Sequence, residues 1–134
     1  MSEDNLTIVL ARAHRNVHGR ISDILKARDI PVEQWRILSV LADGEGHTVG
    51  SLCDRAVMNF SALSKTIDRM VSRALVHRKQ DETDHRRVLV YITQFGIELY
   101  ASCKADMEQS ESHLIGGLSE TETSTLKTLL QRLV

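Results

Sequence analysis

The residues from Asn59 to Thr93, NFSALSKTIDRMVSRALVHRKQDETDHRRVLVYIT, run an amphipathic helix straight into two β-prone segments around a charged tip. With Asn59 as N-cap, Leu63, Ile67, Met70 and Val71 recur at spacings of three and four, which predicts a helix with one core-facing stripe. The two following segments, Ala74-Leu75-Val76 through Lys79 and Val88 to Thr93, flank the polar residues Asp81 to His85 and predict a β-hairpin. The tip has neither Gly nor Pro, so its turn type stays open.

What the helix turns outward points to a polyanion. Ser61, Ser64, Lys65, Asp68 and Arg69 fall opposite the stripe, with short hydroxyls near the N-terminus and cations further along. Small polar groups allow close approach to base edges, and cations reach phosphates. In the hairpin, Asp84 and Arg86 are two apart and would share one face of an extended strand, the Asp holding the guanidinium in place. An arginine held so suits the narrow minor groove of AT-rich DNA. Between Arg55 and Thr93 eight Lys or Arg stand against four acids, a balance of +4, while the rest of the chain carries −5. The near-neutral total therefore conceals a basic centre and acidic ends.

These residues carry a family resemblance. Trp35-Arg36-Ile37-Leu38, Leu52, Ser64-Lys65-Thr66-Ile67-Asp68-Arg69-Met70, Leu75-Val76, Asp84-His85-Arg86-Arg87 and Tyr91-Ile92-Thr93 followed by Gly96 resemble, in order and spacing over nearly the whole chain, the multiple antibiotic resistance regulator (MarR) family. Ala74 stands where that family usually has Gly, and Pro31 where it usually has a Thr or Ser cap. The resemblance implies a mainly α fold with a small β-hairpin wing (α+β): a winged helix-turn-helix with N- and C-terminal dimerisation helices. One domain over residues 1–134 is expected, with 30–93 as the DNA-binding part and 5–28 and 95–134 as dimerisation helices. Asn59, Ser61, Ser64, Lys65, Arg69, Asp84, Arg86 and Arg87 are the candidate DNA-binding residues.

The chain ends supply the expected dimer. Leu6, Leu10, Ala13, Val17, Ile21 and Ile24 form a stripe along a helix that runs to about Arg28. A helix from about Phe95 to His113 is broken at Gly116-Gly117, and Ser119 with Glu122 forms a capping box before Leu126, Leu129, Leu130 and Leu133. Stripes of this length exceed what a small winged domain buries, and the family's terminal helices interleave in a two-fold dimer. The expected partners are therefore a second copy, an inverted-repeat duplex and a small-molecule effector, without a membrane.

No separate sensory domain fits in 134 residues, so the effector site is expected between the terminal helices and the winged part. Arg15 would suit a carboxylate, Trp35 an aromatic ring, and His14 and His18 lie one turn apart beside Arg15. Cys53 and Cys103 are 50 residues apart, without metal-type spacing, and read as small buried hydrophobes. No phosphate-binding Gly loop, nucleophile elbow or His-Glu-x-x-His occurs, so neither catalytic residue, cofactor nor metal ligand is assigned. The acidic N-terminus and the lack of a long apolar run predict a cytoplasmic protein. The expected function is a homodimeric repressor released by a small aromatic acid or phenol. A redox- or metal-responsive regulator of the same fold, and an interaction module without DNA binding, stay open as alternatives.

Overall fold

The computed structural model describes residues 5–110 and 116–134. Six helices and a two-stranded antiparallel sheet occur among them. In chain order they are α1 (Leu6–Lys26), α2 (Val32–Leu41), α3 (Val49–Ala56), α4 (Phe60–Ser72), β1 (Val76–Gln80), β2 (Val88–Ile92), α5 (Gln94–Gln109) and α6 (Glu120–Gln131). α1 thus ends two residues before the expected Arg28. The end of the helix expected to reach His113 lies outside the described residues. The chain divides into two compact units, one comprising Leu25–Lys104 and the other the described residues of Met1–Ile24 and Ala105–Val134.

In the Leu25–Lys104 unit, α2, α3 and α4 pack on one another and the hairpin packs on all three. Ile37, Leu38, Leu41, Leu52, Leu63, Ile67, Met70, Leu75, Val76 and Val90 are buried and form its core. α2 starts at Pro31, whose φ of −65° suits a helix entry but whose side chain caps nothing. α3 is capped by Thr48, which accepts the Ser51 N–H at 3.2 Å. It ends on Val57 in the left-handed region, φ 57°, with the Met58 N–H bonded to the Cys53 carbonyl at 3.0 Å.

The hairpin pairs Val76 with Ile92 and Gln80 with Val88. β1 does not alternate buried and exposed residues. Only Val76 is buried and the next four residues are exposed, because the strand runs outward past the edge of the helical core. A third, very short segment joins the sheet, as His47 exchanges two backbone hydrogen bonds with Val90, at 3.1 and 2.8 Å. At the base of the hairpin, the Thr93 hydroxyl donates to the Ala74 carbonyl at 2.6 Å and accepts the Gly96 N–H at 3.0 Å. Gly96 packs so tightly there that a Cβ would lie 2.3 Å from the Leu75 carbonyl oxygen. The Thr-x-x-Gly spacing in the sequence is thus a physical joint between β2 and α5.

In the other unit, α6 opens with the expected capping box: Ser119 Oγ accepts the Glu122 N–H at 3.1 Å and Glu122 accepts the Ser119 N–H at 3.0 Å. The apolar stripes are largely uncovered in the single chain, with Ile21 and Ile24 of α1 half-buried. Leu6, Val9, Leu10 and Val17 of α1 and Leu126, Leu129, Leu130 and Leu133 at the C-terminal end are all exposed.

Candidate nucleic-acid interface

α4 is set out by its cap. Asn59 accepts the Ala62 N–H through Oδ1 at 2.8 Å and leads directly into the helix. Leu63, Ile67 and Met70 are buried as the periodicity predicts, but the fourth buried residue is Thr66 and not Val71, which is exposed. Thr66 tolerates burial because its hydroxyl donates to the Ala62 carbonyl at 2.8 Å. This roll of the helix leaves Ser61, Lys65, Asp68 and Arg69 exposed and Ser64 half-buried. Among the described residues, neither Lys65 nor Arg69 has an acidic partner. Asp68 is occupied otherwise, since its carboxylate pairs with Arg78 of β1 at 2.5 Å and so ties α4 to the hairpin.

The hairpin tip, residues 81–87, is a turn and not strand, which corrects the expectation that Asp84 and Arg86 share a strand face. Their pairing nevertheless exists by another route. Asp84 Oδ1 accepts both the backbone N–H and the Nε–H of Arg86 at 3.1 Å, an aspartate turn closed by side chain onto backbone. These two bonds hold the Asp84 carboxyl below its ordinary value. Asp81 does the same one step earlier, accepting the Thr83 N–H at 2.9 Å and the Thr83 hydroxyl at 2.8 Å, which lowers its pKa as well. Two aspartates therefore close a turn without glycine, and none of its residues has a positive φ.

The guanidinium of Arg86 projects outward, 91% exposed, while its Nε stays anchored. Arg87 differs from Arg86. Its Nε pairs with Asp81 at 3.3 Å and its backbone closes the neck of the turn, so much of its function is structural.

The sequence reading passes over three features of this surface. Arg78 is one, because the residue it pairs with lies ten positions away. His47 is another: it is buried, bridges to Val90 and pairs through Nε2 with Asp43 at 2.9 Å, and hydrogen bonds from the Glu45 backbone and from His47 hold the Asp43 carboxyl low. Phe60 is the third, the first residue of α4 and 67% exposed. Its spacing to Leu63 resembles a core position, and only the roll of the helix reveals otherwise.

The remaining candidates fall in both units. Trp35 is half-buried on α2 and stacks on Tyr100 of α5, with ring centroids 4.9 Å apart and planes 16° apart, so one face of its ring is taken. In the other unit, Arg15 is exposed on α1, and the His14 and His18 rings stand 5.6 Å apart. Cys103 is buried and Cys53 half-buried. Among the described residues, no three His, Cys, Asp or Glu stand together as a metal site, and no helix is long and apolar enough to cross a membrane.

A helix-turn-helix formed by α3 and α4, followed by a wing with an anchored arginine at its tip, defines the winged helix-turn-helix class. The profile of the MarR family matches residues 28–87 of this chain. The homoprotocatechuate degradative operon repressor of Escherichia coli is 25% identical over 131 residues, covering 98% of this chain and 88% of that protein. A cysteine-to-serine mutant of E. coli MarR, solved in complex with operator DNA, superposes with a TM-score of 0.85 at 25% identity, covering 96% of this chain and 93% of that one. NadR, solved with 4-hydroxyphenylacetate, gives 0.83 at 26% identity, covering 96% and 92%. Residues 28–87 thus match the MarR family, and over nearly its whole length the chain has the fold of E. coli MarR.

Proposed function

We propose that the chain is a homodimeric repressor that reads an inverted-repeat operator, with α4 in the major groove and the wing tip in the flanking minor groove, and that a small aromatic acid or phenol releases it. The observation that carries this reading is the combination of two exposed cations on α4, Lys65 and Arg69, without acidic partners among the described residues, with an outward guanidinium anchored at Arg86. Asn59, Ser61 and Ser64 then lie at the end of α4 that meets base edges, and Arg87 stiffens the turn carrying Arg86. The uncovered leucines of α1 and α6 support a second copy as their partner, which sets two copies of α4 about one helical turn apart on the duplex.

The relative that represses the homoprotocatechuate degradative operon and the NadR complex with 4-hydroxyphenylacetate support an aromatic acid as effector class. Arg15 is the proposed carboxylate partner, Trp35 the proposed aromatic contact, and His14 and His18 the proposed polar contacts. An effector acts only through unequal affinity for the DNA-competent and incompetent states.

Selection of bound sequences from a random duplex pool at near-physiological salt tests the DNA reading. An inverted repeat is expected, and salt-sensitive binding without sequence preference refutes it. A thermal-shift panel of aromatic acids tests the effector, with stabilisation by at least one member and its loss in Arg15→Ala expected.

A further inference from the structure

We infer that Phe60 selects thymine, its ring meeting the C5-methyl group of a thymine in the major groove at the N-terminal end of α4. The inference rests on the operator-reading function proposed above and assigns one base contact within it.

Phe60 follows the Asn59 cap as the first residue of α4 and is 67% exposed. The core does not need it, because Leu63, Thr66, Ile67 and Met70 already fill the buried side of the helix. Among the described residues no ring stacks on it. Its neighbours Asn59, Ser61 and Ser64 are polar, and Val57 before the cap is exposed as well. A large apolar side chain left in water is stabilised by any apolar partner that covers it.

When a recognition helix enters the major groove, its N-terminal residues reach the base edges. There the four base pairs offer hydrogen-bond donors and acceptors, and one apolar group, the thymine methyl. Serine hydroxyls adapt to donor or acceptor alike, so Ser61 and Ser64 discriminate weakly. The ring of Phe60 is the large apolar group at this end of α4, and it gains from a methyl and nothing from the amino group of cytosine.

The test uses the full-length chain and the duplexes recovered from the random pool. Each thymine of a half-site is replaced in turn by deoxyuridine, which removes the methyl and leaves every hydrogen-bonding group in place. The wild-type chain is expected to lose about fourfold in affinity at one thymine per half-site, the value of one buried methyl. Phe60→Ala should bind the thymine and uracil duplexes equally, and Phe60→Leu should keep part of the discrimination. Indifference of the wild-type chain to every replacement overturns the inference while leaving the operator reading intact. So does an undiminished methyl penalty in Phe60→Ala, a recovered half-site with no fixed thymine, or a Phe60→Ala chain altered in oligomeric state alone. A wild-type chain that selects no sequence overturns the operator reading and this inference together.

Discussion

Replacing Ala74 by glycine should stabilise the protein, although it removes a side chain from the junction between the reading helix and the wing. Ala74 has φ 60°, in the left-handed region, where a Cβ crowds the following carbonyl and costs roughly 1–2 kcal/mol. The conformation is imposed on it. Its N–H bonds to the Val71 carbonyl at 2.9 Å and its own carbonyl accepts the Thr93 hydroxyl at 2.6 Å, so the backbone cannot relax without opening the wing. Its methyl is exposed, and removing it sacrifices little packing. Against the relief stands the greater freedom of glycine in the unfolded chain, about 0.4–1 kcal/mol.

The difference leaves a gain of roughly 0.5–1 kcal/mol per protomer. At about 2.1 cal/mol/K of unfolding entropy per residue over a chain of 134, that raises Tm by about 2–4 °C. The assay is thermal unfolding at one fixed protomer concentration, because association shifts Tm by mass action. Gly44→Ala provides the mirror: Gly44 has φ 81° and nothing within 4 Å of an added Cβ, so backbone strain alone should lower Tm by a similar amount. An Ala74→Gly protein that melts at or below the wild-type temperature, with Gly44→Ala behaving as expected, refutes the argument at this junction.

Gly96→Ala should destabilise by about 1–3 kcal/mol, since its Cβ would meet a backbone carbonyl that has no room to yield; an unchanged urea midpoint counts against this. The lowered carboxyls of Asp43, Asp81 and Asp84 give a defined acid limb: stability they contribute is complete well above the ordinary value of 3.8 and is lost as pH falls through and below it. Urea titrations from pH 7 to pH 3 should show that limb flattened in the triple Asp→Asn variant, and an unaltered profile would place the acid sensitivity elsewhere. Arg86→Ala should weaken operator binding and reduce the salt slope by about one phosphate contact, roughly 0.9, if the guanidinium meets backbone, whereas loss of affinity at constant slope assigns it to base edges. Combined with Asp84→Asn the same change should cost less, because the single variant leaves Asp84 uncompensated beside DNA.

The stripe of α4 was legible because a 3.6-residue period repeats over thirteen residues. Its exact roll was not: Thr66 and Val71 both satisfy a spacing of three or four from a neighbour in the stripe, and contact with α2 and α3 decides between them. The partnership of Asp84 with Arg86 was legible from their separation, but the strand geometry invoked for it was wrong. Asp81 and Asp84 supply by side chain the backbone bonds that a glycine turn would make directly, and no periodic signal announces such a turn. Phe60 was invisible for the same reason as Thr66, because exposure at a helix start depends on what the next turn packs against. The identity of the proposed effector is written in no local pattern, since the proposed Arg15 and Trp35 lie in different segments.

The ion pairs also relocate the basic charge that the sequence displayed. Of the eight cations between Arg55 and Thr93, Arg78 pairs with Asp68, Lys79 with Glu82, Arg86 with Asp84 and Arg87 with Asp81. All four acids of the segment are thereby matched by cations of the hairpin. The +4 excess belongs to Arg55, Lys65, Arg69 and Arg73, on and around α3 and α4. A wing of net +1 that carries one outward guanidinium gains little from distant phosphates, but loses little to salt when that guanidinium sits in a narrow groove. The helix pair is the reverse, a concentrated charge suited to drawing in any duplex. On the proposed reading α3 and α4 attract the duplex and the wing aligns on it, so removing Lys65 and Arg69 together should reduce the salt slope more than any substitution in the hairpin.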